Sequence, residues 1–414
     1  MKEQIITNLD HPEQLEKLYR ADEPGFKTAF NNLFESLKGN PLATFWHTRL
    51  NYTKEEIVQG RSYDLVWVIV AALVAGLIAK LPSILDINEE FFYTRNIGFI
   101  IFPVLTSYFA WKNKLSAGKI IVITCAIVAG VIFINFLPDV KKSDTLLLSC
   151  IHMILWLWAV LGFAFVGGKD NDMQKRLGYL KYNGDLVVMT TLIVIAGGIL
   201  TGVTFGLFSL IGWKIEQFYF EYIIIFALPA APILGTWLTM TNPHLVGKVS
   251  PVIAKIFSPL VLVTLVIYLV AIIFSGKDPY NDREFLMIFN ALLIGVMAII
   301  FFSIAEMSKS TKNVTELWVL FLLSVVTILV NGIALSAIVF RISEWGITPN
   351  RAAVLGGNVL ILIHLLLVTA QLERVLFGKT EIGRVGKAIA SYLPVYVLWT
   401  IIVTFIFPFI FSFR

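Results

Sequence analysis

Arg341-Ile-Ser-Glu-Trp-Gly-Ile-Thr-Pro-Asn-Arg351 is a short polar link between two long apolar segments, Leu317 to Phe340 and Ala352 to Phe377. Each segment runs to roughly 25 residues, enough for an α-helix to cross a hydrocarbon core of about 30 Å. Three charges, a Trp, a Gly and a Pro crowd into this link, more chemistry than a plain helical hairpin requires. Similar apolar runs recur along the rest of the chain.

Hydrophobic residues make up 57% of the sequence and charged ones only 15%, outside the range of a soluble domain. Long runs without period-two alternation exclude a β-barrel and predict an all-α polytopic membrane protein. The net charge of +5 does not point to nucleic acid, because the basic residues cluster in links between spans. Cys125 and Cys150 fall inside apolar spans and form neither a disulfide framework nor a metal motif. No metal or cofactor is expected. The polar opening of about 60 residues is no cleavable signal peptide, so targeting falls to the first span.

Residues 1–61 read as an amphipathic helical head, and residues 62–414 as the transmembrane domain. Asp10-His-Pro-Glu13 looks like a helix N-cap followed by Pro in the first turn. Leu15, Leu18 and Tyr19 share one face, and Phe26, Phe30, Leu33, Phe34 and Leu37 repeat at helical spacing before Gly39. Asn40-Pro41 opens a third helix carrying Phe45, Trp46 and Leu50.

About eleven spans follow, beginning near Asp64, Ile97, Gly118, Thr145, Asp185, Phe218, Val252, Glu284, Glu316, Ala352 and Ala390. Fifteen Lys and Arg residues lie on one side of this arrangement and nine on the other. That bias predicts a cytoplasmic head, an outward-facing Arg341–Arg351 link and a periplasmic or extracellular C-terminus. Gly198, Gly202 and Gly206 form a small-residue stripe suited to close helix packing. Pro229-Ala-Ala-Pro232 removes two backbone donors and should bend or break its helix.

Polar side chains within spans are costly and therefore informative. Counting about 1.5 Å per residue, Asn290 and Asn358 lie roughly 10 Å from the outer links, Asn331 roughly 15 Å and His364 roughly 20 Å. With Arg283, Arg341, Glu344 and Arg351 as an outer rim, Asn290, Asn331, Asn358 and His364 sketch a cavity descending to the midplane. Interhelical hydrogen bonding is the plainer role for the same residues. Phosphate-binding loops, zinc helices, nucleophile elbows and paired intramembrane aspartates are absent from the sequence.

Lys277-Asp-Pro-Tyr-Asn-Asp-Arg-Glu-Phe-Leu-Met-Ile-Phe-Asn290, Phe302-Ser-Ile-Ala-Glu306 and the Arg341–Arg351 link resemble the DUF 4153 family. The likeness runs from about Asp185 to the end of the chain. Leu15-Glu-Lys-Leu-Tyr-Arg20 and Phe45-Trp-His-Thr-Arg-Leu50 are similar to the head of some members. The resemblance implies a bacterial inner-membrane location and no particular activity. Three functions fit these observations. They are transport or small-ligand binding between the late helices, a scaffold that recruits a protein partner through its head, and an intramembrane transferase.

The basic bias makes a direct prediction. In a background without native cysteines, Ser343→Cys should react with an impermeant thiol reagent on intact cells and Ser36→Cys should not. The reverse pattern would invert the topology.

Overall fold

The computed structural model describes residues 1–37, 39–51, 62–140, 142–167, 172–210, 213–275, 280, 283–307 and 314–414. Every regular element among them is helical. The chain divides into two compact units, Met1–Arg61 and Ser62–Arg414.

The first unit contains α1 (Lys2–Thr7), α2 (Pro12–Ala21), α3 (Glu23–Leu33) and α4 (Pro41–Asn51). Helix α2 starts at Pro12 with His11, not Asp10, at its N-cap, and no side chain caps it. Asp22 caps α3 by accepting from the Gly25 amide at 3.0 Å. Asn40 caps α4, accepting from the Leu42 amide at 2.8 Å and the Ala43 amide at 3.1 Å. Between α3 and α4, Gly39 has φ +104°, a conformation that other residues rarely adopt. The apolar faces meet in a core of Ile5, Leu15, Phe26, Phe30, Ala43 and Trp46. Arg49 lies over the Trp46 ring, 4.7 Å from its centroid, and pairs with Glu16 at 2.9 Å. The hydrogen bond from Arg20 holds the Glu16 carboxyl below its ordinary pKa, and Arg49 acts in the same sense.

The second unit is a helical bundle. Its N-terminal part contains α5 (Ser62–Leu85), α6 (Glu89–Lys112), α7 (Ala117–Phe136), α8 (Asp144–Val166) and α9 (Met173–Leu210). Next come α10 (Glu216–Tyr219), a π-helical turn (Phe220–Ile224) and α11 (Ile225–Thr241), which run on as one rod. The C-terminal part contains α12 (Pro243–Ser275), α13 (Arg283–Met307), α14 (Val314–Trp345) and α15 (Pro349–Leu376). The last rod is α16 (Ile382–Ile401), a second π-helical turn (Ile402–Ile406) and α17 (Phe407–Ile410).

These make eleven long rods among the described residues, and nine are long and apolar enough to cross a membrane. The protein is a multi-pass membrane protein. The second rod is longer than its apolar run: α6 begins at Glu89, capped by Asn88, rather than near Ile97. It falls outside the nine, as does α12, where the shorter stretch Pro251–Ile267 is apolar. Helix α9 begins at Met173, well ahead of Asp185, and its apolar second half is almost entirely exposed, as a lipid-facing surface would be.

Two apolar cores fill the bundle. One is built from α5 to α8 and α11, and includes Tyr108, Leu161 and Ile233. The other is built from α12 to α16, and includes Phe289, Ile300, Leu323 and Leu365. Helix α9 is the seam. Tyr179 and Tyr182 enter the first core while Leu180 packs against the second.

Both prolines of Pro229-Ala-Ala-Pro232 sit inside a continuous α11, so the helix is neither broken nor ended there. The irregularity appears one turn earlier, as the π-helical turn. At the other π-helical turn the compensation is explicit. Pro408 deprives the Thr404 carbonyl of its usual donor, and Ser149 of α8 donates to that carbonyl at 2.9 Å.

The expected close contact at Gly198, Gly202 and Gly206 is not made within the chain: open space surrounds all three. Close approach is made elsewhere. A methyl at Gly76 would overlap the Phe226 ring of α11, and one at Gly184 would overlap Phe302 of α13. The stripe therefore follows exposed helix surface, while the packed glycines are isolated in sequence.

Gly76→Ala should accordingly cost about 1–3 kcal/mol through overpacking. Gly202→Ala should be neutral, or stabilise by up to about 1 kcal/mol through helix propensity. Thermal unfolding in detergent separates the two, and equal losses would contradict the packing described.

Candidate functional site

Lys181 and Asp185 lie one turn apart on α9, and so share a face. That face meets the last turn of α13, where the Lys181 ammonium donates to the Glu306 carboxylate. The Asp185 carboxylate lies 3.7 Å from the same ammonium. The side chains of Lys181, Asp185 and Glu306 are only 22%, 7% and 11% exposed. Buried charges in an apolar bundle persist when they are paired, as these are.

A second pair faces the first across a cleft. Lys255 of α12 binds Glu316 at the start of α14 at 2.9 Å. Between the pairs, the buried hydroxyls of Ser258 and Ser303 lie 3.1 Å apart. The cleft has a volume of about 540 Å³ and is lined by these groups together with Pro251, Pro259, Met307, Val319 and Leu320.

The prolines add a further feature. Without N–H groups, Pro251 and Pro259 cannot bond the carbonyls of Gly247 and Lys255, four residues before each. Both of those residues line the cleft. The lining thus combines two ammonium groups, two carboxylates and the three hydroxyls of Ser258, Ser303 and Thr315. Such a lining can hold a small polar molecule by several simultaneous hydrogen bonds.

This is not where the sequence placed a cavity. The structure does bring Asn290, Asn331 and Asn358 together. Asn358 donates to the Asn290 side-chain oxygen at 2.8 Å, and Asn331 donates to the Asn358 carbonyl at 3.2 Å. They tie α13, α14 and α15 together. His364 is separate from this chain of bonds: its Nδ1 lies 3.1 Å from the Tyr396 hydroxyl, and Tyr392 stacks on its ring. Asn331 and His364 have no accessible surface, so they line no open space and the expected descending cavity is closed. Helix packing fills the volume that a cavity would need.

The corner above them is a helix cap. Gly346, at φ +75°, ends α14, and the Arg351 guanidinium donates to the carbonyls of Trp345 at 2.8 Å and Gly346 at 2.6 Å. Arg341 and Arg351 both lie over the Trp345 ring. None of the ion pairs among the described residues involves Glu344. Arg283 opens α13, and its side chain lies outside the described residues, as do Lys277, Asp278 and Asp282.

The cleft is hard to see in the sequence because Lys181 and Lys255 belong to the fifteen basic residues that set orientation, and nothing beside them marks a site. Glu306, an acid closing an apolar run, was the available clue. Elsewhere the bundle holds other paired polar groups. Arg95, almost fully buried, reaches Asp139 at 3.3 Å, and the amides of Asn96 and Asn135 bond reciprocally at 2.8 Å. Comparison with family models, curated proteins and solved structures gave no significant match.

If the asparagine chain is interhelical adhesive, Asn358→Ala should cost about 1–2 kcal/mol. Glu344→Gln should stay within about 0.5 kcal/mol of wild type. Thermal unfolding in detergent reads both, and a larger loss from Glu344→Gln would reinstate the corner as a structural or functional centre.

Proposed function

We propose that this chain is a bacterial inner-membrane protein that binds, and in the transport reading carries, a small polar ligand. The ligand enters the cleft between α9, α12, α13 and α14. The observation that carries the proposal is the cleft itself, which brings four charged side chains and three hydroxyls together among apolar helices. Intramembrane charge of this kind marks solute and ion pathways in helical membrane proteins.

Phe302-Ser-Ile-Ala-Glu306, one of the stretches resembling DUF 4153, supplies both Ser303 and Glu306 to the cleft. The basic bias assigns this end of the bundle to the cytoplasm, because Lys181 and Lys255 belong to the richer side. The ligand thus meets the protein from the cytoplasmic face, opposite to the Arg341–Arg351 corner.

A second reading, recruitment of a protein partner by the head, is supported by a groove there of about 510 Å³. Pro12, Lys17, Arg20 and Phe45 line it, and Phe45 is 59% exposed.

Cysteine accessibility tests the first reading. With Cys125 and Cys150 replaced, Ser303→Cys should react with a small water-soluble methanethiosulfonate in inside-out vesicles. Ser324→Cys, fully buried in the same bundle, should not. A position 303 as unreactive as 324 would end the ligand-binding proposal.

A further inference from the structure

We infer that the half of α12 before Pro259 is a hinged lid on the cleft, latched to α14 by the ion pair of Lys255 and Glu316. The inference rests on the reading of the cleft as a binding site and deepens it by naming the part that opens. Its first basis is how unevenly α12 is anchored. From this helix the second apolar core takes Val261, Leu262, Leu265 and Leu269, all beyond Pro259. Before Pro259, among the described side chains, only Val246, Ala254 and Ser258 are buried, and neither Val246 nor Ala254 belongs to an apolar core. Burial in the core thus holds the second half of the helix and not the first.

The second basis is what stands in place of that core. Two polar ties join the first half to the facing helices. Lys255 binds Glu316 of α14 at 2.9 Å, and the Ser258 hydroxyl lies 3.1 Å from that of Ser303 on α13. The Lys255 side chain is 55% exposed, against 22% for Lys181 in the tie between α9 and α13. An ion pair reached by water contributes little and yields readily, whereas a buried one resists separation. Glu316 has a further interaction besides Lys255, so it keeps a partner in the wall when the ammonium leaves.

The third basis is the hinge. Pro251 and Pro259 flank Lys255 inside α12, and neither has an N–H to donate to the carbonyl four residues before it. The turn that carries the latch is therefore joined to the rest of the helix across a missing helical bond on each side, and such places are where helices bend. Helix α12 is continuous and the latch is closed. Release of Lys255 lets the first half swing away from α14 about Pro259, which widens the cleft that Pro251, Ala254, Lys255 and Ser258 line. A ligand then enters, and the pair re-forms behind it.

The test uses the full chain with Cys125 and Cys150 replaced and Leu320→Cys as reporter on the α14 wall of the cleft, since Ser303 is itself one of the ties. Modification by a small uncharged methanethiosulfonate in detergent follows the open population when the lid moves faster than the reagent reacts. Lys255→Gln should speed it at least about twofold, the effect of losing a partly exposed pair. Lys255→Arg, which keeps the charge, should leave it near the wild-type rate. Pro259→Ala, which restores a helical donor, should slow it at least about twofold. These opposite signs separate a lid from a general loss of stability, which could only speed modification. Ser324→Cys, fully buried in the same bundle, should stay unreactive in every background. Equal rates for Lys255→Gln and Lys255→Arg would overturn the lid and leave the cleft standing. So would a Pro259→Ala rate that is not slowed, or reactivity at position 324 that rises with that at 320. A position 320 that never reacts, even with Lys255→Gln, would overturn the lid and the cleft together.

Discussion

A charge placed among apolar helices must find an opposite charge, and in this bundle Lys181 finds two. Its ammonium is held by Glu306 and lies beside Asp185, at the seam where α9 passes between the two apolar cores. The tie is specific in a way that apolar contact is not. Sliding α9 along α13 by one turn would part Glu306 from Lys181 and leave the Glu306 carboxylate in surroundings that do not solvate it. Gly184, one turn from Lys181, allows Phe302 to pack directly on the α9 backbone, so charge pairing and close packing fix the same register. The cleft lies beside this tie, between α9, α12, α13 and α14.

The treatment of backbone carbonyls separates packing from site. Each intramembrane proline orphans one carbonyl, and the bilayer supplies no water to satisfy it. At Pro408 a hydroxyl from a distant helix fills the vacancy, and nothing remains for a ligand. At the Arg341–Arg351 corner an arginine does the same for the end of α14. Along α12 the affected carbonyls belong to residues that line an open cleft beside charged side chains. A carbonyl without its helical donor, left by a proline in one place and by a helix end in the other, has a structural outcome in both, whereas along α12 the residues concerned line the cleft.

Much of the fold was legible in the sequence because it is dictated by length and apolarity. The rods follow from runs of apolar residues, and the head helices from spaced aromatics and from Asn40-Pro41 at the start of α4. The sequence set Asn290, Asn331 and Asn358 around one cavity, and in the structure they are hydrogen-bonded to one another. What escaped was pairing between remote elements. Lys181 and Glu306 are 125 residues apart, and nothing local distinguishes a lysine that orients a helix from one that binds a carboxylate. Ser149 and Thr404 are 255 residues apart, so the support for the helix before Pro408 could not be foreseen. The glycine stripe misled because spacing marks a face without saying what covers it.

The claim on which the rest depends is that Lys181 and Glu306 are energetically coupled partners at the seam. A double-mutant cycle of Lys181→Met and Glu306→Leu, read by unfolding in detergent, measures that coupling. Each single substitution should be strongly destabilising, because it leaves a buried charge behind. The double variant should recover part of the loss, with a coupling of at least about 1 kcal/mol. Losses that add to within about 0.5 kcal/mol would show the two side chains to be independent and would contradict the account.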